Sequence, residues 1–232
     1  MKVKASGLRG SDCFIQNETW LPVDYPRIPG HEATGRVIAL GSAVESNRLK
    51  VESLLDITSQ YNGFTFNRGH GEYMREEFQS IIQIPEEALQ TASCAELAHL
   101  LCGGTTVYGA VRSSNQNPGD VAIVQGVGGL GHLAIQYAAK LGLKVYAISS
   151  GSSKAELVKS LGAVAHVNAS TTYVVAYFQA LGGEKLIICT APRAKLISSI
   201  LPAVDRNGTL TLVSAAVDGN IEMSNSLSNM NQ

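Results

Sequence analysis

Apolar positions along the chain fall into two textures that meet near residue 104. Downstream of it, short β-branched runs recur: VAIVQ (121–125), KVYAI (144–148), AHV (165–167), KLIIC (185–189) and TLTLV (209–213). Between them lie stretches with helical spacing: HLAIQYAAKLG after Gly131, KAELVKSLG after Ser153, TYVVAYFQALGG from Thr172 and AKLISSILPAV from Ala194. Strands that read as unbroken apolar runs and are separated by helices predict a parallel sheet covered on both faces. The pattern therefore predicts an α/β, Rossmann-like doubly wound domain over residues 104–217. Ser153 and Glu156 predict a capping box for the second of these helices. Upstream, HEATGRVIALG (31–41) and GEYMREEFQSIIQIP (71–85) predict strands in irregular chain, hence a mostly β lobe over residues 1–103. The stretch from Asn47 to Asn67 shows no clear period. Residues 218–232, rich in Asn and Ser, predict a polar tail.

Composition removes several function classes. Hydrophobic residues make up 45% of the 232 positions and charged residues 16%, which is globular and not disordered. The net charge is −1 with no basic cluster, so no nucleic-acid footprint is expected. No apolar run of about eighteen residues occurs, and the opening MKVKASGLRG lacks the apolar core of a signal peptide. Cys13, Cys94, Cys102 and Cys189 are scattered without a CxxC pair, as suits reduced thiols. The expectation is a soluble, cytoplasmic protein with a small-molecule substrate.

The sharpest motif is Gly126-Val127-Gly128-Gly129-Leu130-Gly131, directly after VAIVQ and directly before a helix. In that context Gly126 permits a tight turn, Gly128 lets backbone approach a pyrophosphate, and Gly131 lets helix and strand pack closely. Free N–H groups at the helix start then receive the phosphate charge. An NAD site carries Asp or Glu at the end of the second strand, about 20 residues on, to bond the ribose hydroxyls. Here Ser149 stands there, followed by Ser150, Gly151, Ser152, Ser153 and Lys154. No carboxylate opposes a 2′-phosphate, and the hydroxyls of Ser149 and Ser150 with the ammonium of Lys154 suit one. NADP(H) is favoured over NAD(H).

The strings GHE (30–32), LLCGGTTVYGAV (100–111) and QGVGGLGHLAIQYAAKLG (125–142) resemble zinc-type alcohol dehydrogenases of the medium-chain dehydrogenase/reductase superfamily. The segment VYAISSGSSKAELVKSLGA (145–163) is similar to their NADP-using branch, the cinnamyl-alcohol-dehydrogenase-like reductases. The resemblance implies a partial GroES-like catalytic lobe ahead of the dinucleotide domain, and hydride transfer between a nicotinamide and a small alcohol, aldehyde or ketone. It implies a catalytic zinc whose matching ligand positions are His31, Glu32 and Cys102, a proton-relaying hydroxyl at Ser11, and a carboxylate at Asp12 that orients His31.

The chain also departs from the pattern. In GLRGSD (7–12), Arg9 stands where the first cysteine ligand belongs and Gly10 replaces the following histidine. A guanidinium has no lone pair for a metal. Either Arg9 pairs with Glu32 and fills the metal's place with a fixed charge, or it is a surface residue of an eroded site. No structural zinc is expected, because no cysteine lies between Val44 and Gly71. Set against the resemblance, the lobe's opening strands are expected to be largely absent and the chain to stop before a sixth strand, so a family-type dimer is not expected and TLTLV is expected to be an open edge. A nucleotide-binding but redox-inactive homologue, or a truncated gene product, remains the alternative. His70, His99, His132 and His166 receive no role, and Trp20 either shapes a pocket or packs on a Pro-rich loop.

Overall fold

The computed structural model describes residues 1–18, 22–42, 44, 53–55, 67–77, 80–182 and 184–223. Trp20, most of the Asn47–Asn67 stretch and the last part of the polar tail lie outside the described residues. The chain divides into two compact units, Met1–Thr105 and Thr106–Gln232.

The first unit holds a four-stranded antiparallel sheet of β1 (Lys2–Ser6), β2 (Ala33–Arg36), β3 (Ser53–Leu55) and β4 (Ile81–Gln83), in that order. β1 is an element the apolar pattern does not signal: it is short, and Lys2 and Lys4 point outward from its alternation. The two strands expected upstream are far shorter than their apolar stretches: they run over Ala33–Arg36 and Ile81–Gln83, with a single further bridge between Tyr73 and Lys2. Around the sheet run α1 (Gly10–Gln16), α2 (Glu86–Thr91) and α3 (Cys94–Ala98), then a π-helical turn over Leu100–Gly104. Ala33, Met74 and Leu101 form its buried core, backed by Met1, Val3 and Ile81. α3 carries a capping box in which Glu96 N donates to Ser93 Oγ and Ser93 N donates to Glu96 Oε2.

α4 (Thr105–Arg112) leads into the second unit, where every strand is parallel. Its five-stranded sheet comprises β5 (Val121–Gln125), β6 (Lys144–Ser149), β7 (Ala165–Asn168), β8 (Glu184–Cys189) and β9 (Val204–Leu212), ordered β7-β6-β5-β8-β9. Each expected strand is present, and β9 starts earlier than TLTLV. The connecting helices are α5 (Gly129–Lys140), α6 (Ala155–Ser160), α7 (Val174–Gln179) and α8 (Ala194–Ile200). Consecutive β5 residues Ala122, Ile123 and Val124 are all fully buried, as are Leu186 to Cys189 of β8. Both faces of the sheet are covered, as its unbroken apolar runs require.

One face is filled by Ile123, Ile148, Val167, Phe178, Ile187, Ile197 and Ile200. Tyr146 and Tyr177 meet Phe178 edge-on, with ring centroids 5.7 and 5.1 Å away. Burial pushes the Cys189 thiol up to about 12, in keeping with an inert side chain inside this core. The capping box expected at Ser153 and Glu156 does not form: α6 begins at Ala155, with Lys154 in the cap position and no side-chain cap. The order of strands reverses at β5, so the crevice beyond its carboxyl end is where a doubly wound sheet receives ligands.

Candidate functional site

In the second unit, the loop Gly126–Gly131 leaves β5 at that switch point and enters α5. Gly126 has φ +94°, and its N–H donates to Ile148 O at 2.9 Å. A Cβ there would lie 2.8 Å from Thr190 Oγ1 and 2.9 Å from Ala191 N, so only glycine makes this turn. Gly131 is tighter: a Cβ would fall 2.0 Å from Gly126 O. Gly128 and Gly129 are exposed, and nothing lies within 4 Å of where their Cβ atoms would stand. The outer face of the loop is open at the start of a twelve-residue helix, where unpaired N–H groups and the helix dipole favour a phosphate. Val127 is buried beneath it and Leu130 is half-buried.

The segment after β6 bends back to this loop. Lys154 Nζ donates to Val127 O at 2.6 Å, spanning 27 residues of sequence. Ser149 Oγ meets His166 Nε2 at 2.8 Å, Ser150 is exposed, and Gly151 N donates to Asn168 Oδ1 at 2.9 Å. No carboxylate occurs after β6 before Glu156, which lies beyond the turn.

Thr190, one residue past β8, has no signal in the sequence and is part of this arrangement. Its Oγ1 lies 2.9 Å from Gly126 O and 3.1 Å from Gln125 O, while its N–H donates to Gln125 O at 2.9 Å. The hydroxyl thus donates to the Gly126 carbonyl on which the turn pivots, while the Thr190 N–H serves Gln125 O. Thr190→Val keeps the shape and removes that donor; it is expected to cost about 1 kcal/mol, read as a lowered urea midpoint.

In the first unit a compact polar cluster forms around His31 and Glu32, immediately before β2. Arg9 precedes α1, and its N–H donates to Asp12 Oδ2 at 2.7 Å. Asp12 Oδ1 lies 3.4 Å from His31 Nδ1, and Ser11 Oγ lies 3.3 Å from His31 Nε2. His70 Nε2 stands 3.9 Å from the other Asp12 oxygen. Cys102 enters on the π-helical turn, a backbone irregularity common at functional sites. Its N–H and that of Gly103 both donate to Glu32 Oε2, each at 3.3 Å. Arg9 Nη1 is 3.7 Å from the same oxygen. Glu32 is fully buried.

Burial alone would lower the pKa of His31, but the adjoining Asp12 and Cys102 outweigh it and raise the imidazole from 6.5 to about 9. Burial works against the ionised form of Asp12 too. Hydrogen bonds from His31 and the Arg9 backbone, with the charges of His31 and His70, nonetheless hold it below the usual carboxylate range.

The ligand atoms of His31, Glu32 and Cys102 lie within 4.8 Å of one another. Nitrogen, oxygen and sulfur donors of this kind suit a transition metal. A catalytic zinc, however, takes three donors and an open position in a tetrahedron, and a fixed cation a few ångströms away repels it. Here Arg9 Nη1, buried without a hydrogen-bond partner among the described residues, faces the carboxylate that would be one of those donors. The residues present therefore do not fit a resident zinc.

Comparison with known proteins places both units in one family. Residues 1–54 match the alcohol dehydrogenase GroES-like domain, and residues 129–232 match the zinc-binding dehydrogenase family. The alcohol dehydrogenase patD of Penicillium expansum is 34% identical over 243 residues, covering 96% of this chain and 69% of its own length. The alcohol dehydrogenase patD of Aspergillus clavatus is 33% identical over 243 residues, and this chain spans 61% of its length. The alcohol dehydrogenase of Aeropyrum pernix superposes with a TM-score of 0.86 at 22% identity, over 99% of this chain and 74% of that one. With its antiparallel lobe followed by a doubly wound parallel domain, the chain belongs to the zinc-type alcohol dehydrogenases of the medium-chain dehydrogenase/reductase superfamily.

Proposed function

We propose that the protein is a nicotinamide-dependent oxidoreductase interconverting a small alcohol and its aldehyde or ketone, with NADP(H) preferred over NAD(H). The open glycine loop at the switch point of the parallel sheet carries this reading. In it, residues 104–217 grip the dinucleotide and residues 1–103 handle the alcohol or carbonyl oxygen.

When bound, the nicotinamide supplies or accepts the hydride. The chain's own groups manage the oxygen. In the reduction direction Ser11 Oγ passes a proton to it and is reprotonated by the His31 imidazolium, whose Nε2 lies 3.3 Å away; oxidation reverses this path and begins from neutral His31. Asp12, 3.4 Å from His31 Nδ1, holds the ring in that orientation. The positive charges of Arg9 and His31 lower the cost of negative charge developing on the oxygen.

Three features of the segment after β6 support NADP(H) preference: the hydroxyls of Ser149 and Ser150, the lack of a carboxylate before Glu156, and the Lys154 ammonium beside the phosphate loop. An ammonium has three donors, so the bond to Val127 leaves two for a phosphate. Lys154→Met tests this. A lost charged hydrogen bond is worth about 1.5–3 kcal/mol, so KM for NADPH is expected to rise about tenfold or more. KM for NADH should change far less. Equal rises for both cofactors would assign Lys154 to loop support alone. The activity itself is tested by NADPH oxidation with aromatic and aliphatic aldehydes; absence of both turnover and thermal stabilisation by NADPH or NADH would refute it.

A further inference from the structure

The polar cluster of the first unit contains a charge arrangement that the family relationship does not explain. Glu32 has no exposed surface, and a buried carboxylate without a cation is strongly unfavourable. Two backbone N–H groups, of Cys102 and Gly103, share its Oε2 at 3.3 Å each. Among the described residues the guanidinium paired with it is that of Arg9, whose Nη1 reaches to 3.7 Å of the same oxygen. The other carboxylate oxygen lies close against Gly7: a Cβ placed there would stand 2.3 Å from Glu32 Oε1. Arg9 is anchored, because its own N–H is held by Asp12 at 2.7 Å.

The geometry points to Arg9 as a resident cation that takes the place of a metal ion, so that the cluster of His31, Glu32 and Cys102 works without zinc. This deepens the proposed function at the same site, and it rests on the donor set and not on turnover. A guanidinium is permanently charged and donates five N–H bonds while accepting none. Placed on the carboxylate, it both occupies that ligand and repels an arriving divalent ion. Three donors remain in reach of one another, within 4.8 Å, so the obstacle to a metal is the one side chain. Exchanging that side chain for a thiolate would remove the repulsion and supply the missing soft donor in a single step.

The test is metal binding by the full chain, read independently of catalysis. Wild type, R9C and R9M are loaded with zinc, dialysed against metal-free buffer and analysed for bound metal. Cobalt(II) titrations are followed by the thiolate-to-cobalt absorption band. Wild type is expected to retain well below one equivalent and show no band. R9C is expected to retain one equivalent and develop a band that disappears in R9C/C102S. R9M, which removes the charge without adding a ligand, should bind cobalt about tenfold or more tightly than wild type, the scale on which groups around a metal tune its affinity. Thermal melts with and without zinc report folding of each variant, and R9M decides the matter if R9C does not fold. Stoichiometric zinc in wild type, or equal cobalt affinity in wild type and R9M, overturns the proposal. Because no arm depends on turnover, failure of the oxidoreductase reading would appear separately, as absent NADPH oxidation with the metal results intact.

Discussion

Gly131→Ala is expected to destabilise the second unit by about 1–3 kcal/mol, the range for forcing an extra methyl into a packed interior, and to remove detectable dinucleotide binding. The added Cβ would stand 2.0 Å from Gly126 O, which is backbone and cannot rotate aside. Either the phosphate loop or α5 must then move. α5 is held by the buried side chains Leu133, Ala134, Ile135 and Ala138, two of them alanines that let the helix lie close to the sheet. The loop is held in turn by Gly126 N on Ile148 O and by Thr190 Oγ1 on Gly126 O. Neither side can shift without breaking contacts that define the cradle. Gly128→Ala is the informative companion. Nothing lies within 4 Å of its prospective Cβ and its backbone is extended, so stability should be nearly unchanged. A methyl there would still stand where a phosphate approaches the backbone. Urea midpoints and NADPH affinity, measured together, should therefore separate the two variants: both quantities fall for Gly131→Ala, and affinity alone for Gly128→Ala. Unaltered affinity in Gly128→Ala would show that no phosphate rests on this loop.

How much of the molecule was legible in the sequence differs between the units for a physical reason. A strand buried on both faces must be apolar throughout, so VAIVQ and KLIIC announce themselves as β5 and β8, and the order of elements is set by their alternation with helices. In the first unit the strands are three to five residues long, too short for a period-two pattern to stand out, and β1 hides its alternation behind two exposed lysines. Contacts between distant segments are harder still. Thr190 matters because it touches carbonyls 64 and 65 residues away, and nothing in its neighbours signals that. The capping box at Ser153 satisfies the local pattern but loses to a tertiary contact, since Lys154 reaches across to Val127 and α6 starts after it. Arg9 is the opposite case. Its position within GLRGSD marks it as foreign to a ligand set, while its distance to Glu32 requires coordinates.

Glu32→Ala is expected to cost about 3–5 kcal/mol, the penalty for leaving a buried charge without its partner. Two hydrogen bonds and one ion pair converge on the Glu32 carboxylate: the N–H groups of Cys102 and Gly103 donate to it at 3.3 Å, and the Arg9 guanidinium is charge-paired with it at 3.7 Å. Truncation strands the two N–H groups on the π-helical turn that presents Cys102 and leaves the Arg9 charge without its counter-ion. Glu32→Gln separates charge from hydrogen bonding. Its amide oxygen can still accept from the turn, but the guanidinium loses its counter-ion, so a smaller loss of about 1–3 kcal/mol is expected. If that residual loss is electrostatic, removing the cation as well should return part of it: E32Q combined with R9M should be more stable than the sum of the single effects predicts, by about 0.5 kcal/mol or more. Urea unfolding of the four proteins closes the cycle. Strict additivity would mean that Arg9 and Glu32 do not sense each other, and the charge-based account of this site would then fail even if each single variant were destabilised.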